Sequence, residues 1–237
     1  MTGELFREDA YLAEAEATVV QSMDNSVVCD QTNFYAMGGG QPGDSGVLIL
    51  ENGEQHKIID TRKTDTGDIA HIVEEGSPLP AEGSKVTLRL DWERRHRLMR
   101  VHTALHLLCS QVDAGVTGGS IGEEKGRLDF DLEDPPEKEA LEERLNKIIN
   151  EDHPVSHSWI TDAELEANPG LIRTMSVKPP MGSGKVRVIR IGTEENSVDF
   201  QPCGGTHIKS TKEIGPVRIG KIEKKGRQNR RVNLHLV

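Results

Sequence analysis

Two pairs of side chains in this sequence have the types and spacing that bind metal. The first is His102-Thr103-Ala104-Leu105-His106. On a helix, residues four apart differ by about 40° around the axis, so both imidazoles can reach one ion. The second is Cys203-Gly204-Gly205-Thr206-His207. Two glycines between thiolate and imidazole let the backbone fold tightly enough for both to converge. Three nitrogens and one sulfur suit one tetrahedral Zn²⁺ per chain, with expected bonds of about 2.0–2.1 Å to nitrogen and 2.3 Å to sulfur. Either pair alone is a weak signal. A metalloprotease of the zincin type needs Glu directly after the first His, where this chain has Thr103, so that built-in general base is absent.

Other histidines and cysteines compete for the same reading. His96 precedes His102 by six residues, about 240° around a helix, and faces elsewhere. His153 and His157 have the same spacing as the first pair, but Pro154 breaks that helix. Cys109 lies three residues past His106, which leaves a His-His-Cys alternative open, although Leu107-Leu108-Cys109 reads more naturally as core. Cys29 sits in an apolar run and reads as a buried thiol.

A second signal is the segment from Asp30 to Gly46, which contains Thr32, Phe34, Tyr35 and the run Gly38-Gly39-Gly40-Gln41. It lacks both the Lys-Ser/Thr ending of a P-loop and GxGxxG spacing. A flexible β-turn is one reading. Three consecutive glycines followed by an amide also mark a place where a ligand or another backbone approaches closely.

These residues need elements to carry them. Ala17 to Cys29, Gly46 to Leu50, Lys57 to Asp60, Ile69 to Val73 and Lys85 to Leu90 are β-prone runs punctuated by Gly, Pro, Asn and Asp. They predict a small β-barrel or sandwich. Trp92 to Val112 holds no Gly or Pro, and Leu98, Val101, Leu105, Leu108 and Val112 recur at helical spacing behind the N-cap candidate Asp91. After the Gly-rich stretch Gly115 to Gly126, the pattern predicts a strand from Arg127 to Leu132, a helix from Lys138 to Glu151, and strands near 155–160, 186–191, 198–200, 217–223 and 231–237. The fold class is α+β, with a β-barrel-like domain at 1–92 that carries the Gly-rich loop and an α+β domain at 93–237. An active cleft is expected between them, with the Gly-rich loop facing the zinc.

The net charge of −10 opposes general nucleic-acid binding. Four Phe, two Tyr and two Trp are too few for a base-stacking surface of the single-strand-binding type. The charge is uneven, however. Nine cations crowd Lys209 to Arg231 against only Glu213 and Glu223, and Arg89, Arg94, Arg95, Arg97 and Arg100 form a second cluster. A locally basic face on an acidic body suits a phosphate-bearing partner, and ordinary charge clustering is the competing reading. Apolar runs are far short of the roughly 20 residues of a membrane span. The acidic first segment is no signal peptide, and three scattered cysteines fit a reduced, cytoplasmic compartment.

Four motifs in order now carry a resemblance: DxTxFYxxGGGQxxDxG from Asp30, RxxxxHTALHLL from Arg97, QPCGGTH from Gln201 and EIGPVRIGKIEKKGRQNRR from Glu213. The chain resembles the alanyl-tRNA editing proteins called AlaX, free-standing relatives of the editing domain of alanyl-tRNA synthetase. The resemblance covers nearly the whole chain and looks like the medium-length form. The metal pattern alone is shared with the threonyl-tRNA synthetase editing domain, and the Gly-rich segment favours the alanyl side. There is no room for an aminoacylation domain.

The resemblance implies an α+β editing domain of the threonyl/alanyl-tRNA synthetase type and a zinc-dependent aminoacyl-tRNA deacylase acting in trans. It would hydrolyse Ser-tRNA(Ala), and in the medium form also Gly-tRNA(Ala). It implies zinc ligands at His102, His106, Cys203 and His207, and a serine-reading hydroxyl at Thr32. Gly38, Gly39, Gly40 and Gln41 would line the site. The partner is mischarged tRNA(Ala), with no membrane and no obligate protein partner. No residue is assigned as general base. Two rivals stand beside this reading: a non-catalytic tRNA-binding module with a structural zinc, and an editor of Ser-tRNA(Thr).

Overall fold

The N-terminal strands close into a barrel. Eight strands are present: β1 (Gly3–Glu4), β2 (Glu14–Met23), β3 (Ser26–Cys29), β4 (Gln31–Thr32), β5 (Gly46–Leu50), β6 (Gln55–Lys63), β7 (Ile69–Val73) and β8 (Lys85–Leu90). Six of them pair antiparallel in the closed order β2-β3-β7-β6-β5-β8, while β1 and β4 form a short parallel ladder. Closure leaves no edge strand to template aggregation. Alternation turns Ala17, Val19, Val27, Leu48, Ile58, Val73, Val86 and Leu88 into a mainly aliphatic core, joined by Phe34. The run from Ala17 to Cys29 is a hairpin rather than one strand, turning at Asp24 and Asn25.

The Gly-rich segment has two kinds of glycine. Gly38 and Gln41 exchange both backbone hydrogen bonds (3.1 and 2.9 Å), and Gly39 and Gly40 between them have φ of +56° and +84°. Two successive positive φ values define the hairpin turn whose twist matches its strands, and glycine adopts it without Cβ strain. A Cβ on Gly39 would meet nothing within 4 Å. The close approach expected at the triple glycine is found further on. A Cβ on Gly43 would lie 2.1 Å from the Thr61 carbonyl, and one on Gly46 would lie 2.2 Å from the Arg89 carbonyl.

The computed structural model describes residues 1–175 and 184–237, which divide into two compact units, Met1–Arg97 and Leu98–Val237. The division falls inside helix α1 (Trp92–Gln111), whose N-terminus is capped as expected: Asp91 Oδ1 accepts the Arg94 N–H at 3.1 Å.

The second unit holds β9 (Val116–Ile121), β10 (Lys125–Phe130), α2 (Lys138–Asn150), β11 (Val155–Thr161), α3 (Asp162–Ala167), β12 (Lys185–Gly192), β13 (Ser197–Pro202), β14 (Val217–Gly226) and β15 (Asn229–Leu236). They make a four-stranded sheet, β14-β15-β10-β9, and a three-stranded sheet, β11-β12-β13. The α+β class is borne out. Strand β9 and helix α3 are additions to the sequence pattern. β9 runs through Gly118 and Gly119, which read as loop because glycine weakens a strand interior. α2 seals the outer edge of β14. Asn146 exchanges hydrogen bonds with both backbone groups of Val217 (2.8 and 2.9 Å), and Glu142 accepts the Ile219 N–H at 2.7 Å.

Candidate metal centre

Helix α1 supplies the first two side chains. Leu98, Val101, Leu105 and Leu108 are buried, and this anchored stripe fixes the rotation of the helix. His102 and His106 therefore share a defined face, and both are buried. Arg173 ties off the far end of the helix through the Cys109 and Val112 carbonyls (3.2 and 2.9 Å).

Strand β13 and the turn after it bring the second pair. One ligand atom from each of His102, His106, Cys203 and His207 lies within 4.8 Å of the others. Cys203 Sγ is 3.5 Å from His102 Nε2 and 3.3 Å from His207 Nε2. Tetrahedral bonds of 2.0–2.3 Å imply ligand-to-ligand edges of about 3.3–3.8 Å, so the spacing fits one ion.

The outer nitrogens support the same fit. Nδ1 of His106 is 2.8 Å from Asp199 Oδ2, a carboxylate that can only accept while ionised, so that nitrogen carries hydrogen and Nε2 faces the cluster. Gln201 braces the carboxylate through Nε2 at 3.1 and 2.9 Å from its two oxygens. Thr103 Oγ1 stands 3.1 Å from His207 Nδ1 and gives the second imidazole its own partner. The residue that replaces the zincin glutamate thus orients an imidazole of the cluster.

Charges in the cluster follow from this arrangement. Burial would push His106 down, but the hydrogen bonds it donates to Asp199 and Cys203 and the charges of those two groups hold it up, at about 10. Burial would raise the Cys203 thiol, yet its interactions with the surrounding imidazoles of His102, His207 and His106 hold it well below the usual thiol range. Burial and the His102 charge push His207 well below the usual imidazole range. The Cys203 thiolate and the neutral His207 are in the state that takes up metal, and metal uptake by His106 would release the proton on its Nε2.

Sequence reasoning missed Asp199, Gln201 and the partner role of Thr103. The signal was available: Asp199, Gln201 and Cys203 alternate along one strand, so two polar residues occupy the buried face that leads to the ligand. Cys109 is buried with its thiol raised chiefly by that burial, and it lies outside the four-residue cluster.

The sequence-identified residues of the barrel unit sit as follows. Thr32 is wholly buried. Its Oγ1 accepts the Phe34 N–H at 3.0 Å and lies 2.8 Å from His71 Nε2. The other ring nitrogen of His71 meets the Val27 carbonyl at 2.9 Å and must carry hydrogen, so Thr32 donates its proton to Nε2. Burial holds His71 neutral by lowering it to about 4. Met37, Gly39 and Gly40 are exposed at the turn, whereas Gln41 is buried.

The arginine cluster of Arg89 to Arg100 is largely engaged within the chain. Arg89 pairs with Glu14, Arg94 donates to the Gly43 carbonyl (2.8 Å) and Arg100 to the Ile214 carbonyl (3.0 and 2.7 Å). Arg95 is wholly buried against Asp44, with two more bonds to the Ala10 and Asn33 carbonyls. On the β14–β15 hairpin, Arg218, Lys221, Lys224, Lys225 and Arg227 are exposed, while Arg230 is buried and braces the turn carbonyls of Gly226 and Asn229 (both 3.0 Å).

The closed barrel, the α+β unit and the His₂-Cys-His cluster occur in a chain that comparison with known proteins places among the aminoacyl-tRNA editing domains. Two family models agree: residues 186–233 match the threonyl and alanyl tRNA synthetase second additional domain, and residues 6–94 match class II (A) tRNA synthetases. The chain is 34% identical to the alanyl-tRNA editing protein AlaX-M of Saccharolobus solfataricus over 98% of both chains. It is 35% identical to AlaX-M of Methanosarcina acetivorans over the whole of both. Alanine–tRNA ligase of Pyrobaculum neutrophilum is 38% identical over 94% of this chain, which corresponds to 25% of the ligase. The chain belongs to the AlaX family of alanyl-tRNA editing proteins.

Proposed function

We infer that the chain is a trans-editing hydrolase that removes serine, and also glycine, from mischarged tRNA(Ala). The observation that carries this reading is the convergence of His102, His106, Cys203 and His207 in a chain that matches AlaX-M proteins from end to end. Zn²⁺ is the ion the donor set suits, and bound there it supplies Lewis acidity toward the ester or its attacking water. The work of the chain is orientation. Asp199 and Thr103 hold His106 and His207 with Nε2 inward, and the Cys203 thiolate completes the set. The scissile ester is already activated, so a positioned water suffices, and no covalent nucleophile or general base is assigned.

Serine differs from alanine by a hydroxyl, and a site built to bond that hydroxyl rejects the analogue lacking it by about 10⁴–10⁵-fold. Thr32 is the proposed reader, with Gly38, Gly39, Gly40 and Gln41 lining the substrate site. Since Thr32 gives its proton to His71, a serine hydroxyl read there would donate to the remaining lone pair of Oγ1. The exposed cations of the β14–β15 hairpin are the proposed contact with the acceptor stem. Among the described residues no helix is long and apolar enough to cross a membrane.

The test is deacylation by the zinc-loaded chain of Ser-tRNA(Ala), Gly-tRNA(Ala), Ala-tRNA(Ala) and Ser-tRNA(Thr). The expected result is cleavage of the first two with the last two spared. Binding without cleavage would favour the non-catalytic module, and cleavage confined to Ser-tRNA(Thr) would favour the threonyl editor. Thr32→Val should lower the serine reaction far more than the glycine reaction, and equal losses would make Thr32 part of the scaffold.

A further inference from the structure

Arg187 on β12 is a buried cation, and two of its hydrogen bonds go to the turn that carries Cys203. It is 6% exposed. Its backbone carbonyl accepts the Cys203 N–H at 3.1 Å. Its Nη1 donates to the Cys203 carbonyl at 3.0 Å and to the Gly205 carbonyl at 2.9 Å. One residue therefore holds both backbone groups of Cys203, and the side chain reaches two residues further along the turn.

The orientation of the peptides follows from this. Two carbonyls of the turn, those of Cys203 and Gly205, point to the guanidinium. The amide between them, the Gly205 N–H, points to Cys203 Sγ at 3.4 Å. Carbonyl oxygens are thus turned toward a fixed cation, and an N–H is turned toward the anionic sulfur. Glycine at 204 and 205 leaves this alternation free of side chains. The two N–H groups of Nη1 diverge at a fixed planar angle, so one nitrogen can serve both carbonyls, which the rotatable ammonium of lysine does with far less definition. Burying a guanidinium is costly unless its hydrogen bonds are made, and those two carbonyls are among its acceptors.

We propose that Arg187 is a positioning residue for the metal centre, fixing the Cys203–Gly205 turn so that Sγ is presented with its amide partner already in place. This rests on the reading of His102, His106, Cys203 and His207 as metal ligands. The role is distinct from that of Asp199 and Thr103, because Arg187 acts on the backbone of the sulfur ligand rather than on an imidazole.

The test compares the full chain with Arg187→Met and Arg187→Gln, each loaded with zinc or with cobalt(II). Zinc transfer to a chromogenic chelator should be about 10–100-fold faster in the Met variant, the usual scale for loss of an outer partner, and accelerated to a smaller degree in the Gln variant. The thiolate-to-cobalt charge-transfer band should weaken and shift in both. A purely architectural arginine would lower the melting temperature and leave the band and the transfer half-time alone, and that result overturns the proposal. If Arg187→Met does not fold, Arg187→Gln decides by itself: wild-type transfer and an unchanged band overturn it. A parent chain that takes up no stoichiometric zinc or cobalt defeats the metal reading and this assignment together. Metal uptake with insensitive variants defeats the Arg187 assignment alone.

Discussion

Thr103 Oγ1 lies 3.1 Å from His207 Nδ1, which joins the middle of one ligand pair to the end of the other. Thr103 is wholly buried, and its hydroxyl is a partner that α1 offers to that nitrogen. Thr103→Val keeps the shape and removes the acceptor. A buried N–H left unpaired costs about 1–3 kcal/mol, and loss of an outer partner weakens metal affinity about 10–100-fold. Thr103→Ser should retain most of the affinity. Zinc competition against a chelator measures both variants, and a Val variant that binds as tightly as the parent would remove Thr103 from the centre.

Asp199 makes the same kind of contact with a charge in it. Asp199→Asn keeps an oxygen for His106 Nδ1 but removes the anion, so the zinc-loaded chain should lose about 10-fold in affinity, and Asp199→Leu about 100-fold or more. The graded order is the informative readout, because a carboxylate that served only to fill space would rank Leu and Asn alike. Isothermal titration with zinc at fixed pH measures it.

The barrel contains a pH-sensitive element of its own. His71 is lowered to about 4 by burial, against an ordinary value near 6.5. Below pH 6.5 the unfolded chain takes up a proton that the folded chain refuses, so stability is fully present above that pH. It is lost as pH falls toward 4 and levels off below it. The slope is about 1.4 kcal/mol per pH unit, or about 3 kcal/mol across the window. His71→Gln removes the titration. Urea midpoints at pH 7, 5.5 and 4.5 should therefore converge between parent and variant as the pH falls, and parallel profiles would show that His71 is not the responsible group.

The barrel, α1 and the convergence of the two His/Cys pairs were legible because each has a local signature. β-prone runs punctuated by Gly, Pro, Asn and Asp mark β5, β7 and β8, an unbroken 3.6 period marks α1, and HxxxH and CxxxH stand out by residue type. Three features were hidden by long-range contacts. The outer partners Asp199 and Gln201 look like ordinary strand polars until β13 is seen to lead into Cys203. β9 was masked by its glycines, one of which, Gly118, faces Asp129, where an added Cβ would come 3.3 Å from the carboxylate. The arginines between 89 and 100 look like a basic face, whereas Arg95 is spent on Asp44 and main-chain oxygens. Charge along a sequence does not reveal whether a guanidinium ends in water or on a carbonyl.

The two kinds of glycine in the Asp30–Gly46 segment separate by substitution. Gly46→Ala drives a Cβ to 2.2 Å from the Arg89 carbonyl and 2.8 Å from Phe34 Cζ, so β5 and β8 must part or the ring must move. A loss of about 3 kcal/mol or more, or failure to fold, is expected, as for severe overpacking. Gly39→Ala meets open space and bears only the strain of φ +56°, about 1 kcal/mol. Thermal unfolding distinguishes them. If Gly39→Ala spares stability yet lowers deacylation, the exposed turn acts on substrate; if it spares both, the triple glycine is only a hairpin turn.

The β14–β15 hairpin is the proposed contact for a polyanion. Lys224, Lys225 and Arg227 are exposed near its tip, and the Lys225–Glu223 pair (2.8 Å) is a surface ion pair of little net worth. Each phosphate contact that such cations make releases condensed counterions and adds about 0.7–0.9 to the slope of log affinity against log salt. Replacing all three with Gln should therefore weaken tRNA binding and reduce the magnitude of that slope by about 2–3. Arg230→Gln is the contrasting case. Arg230 is buried and holds the turn carbonyls, so its loss should cost stability while the slope changes by less than one contact. An unchanged slope in the triple variant would move the tRNA contact off this hairpin, since no cation that touches phosphate can be removed without returning its counterions.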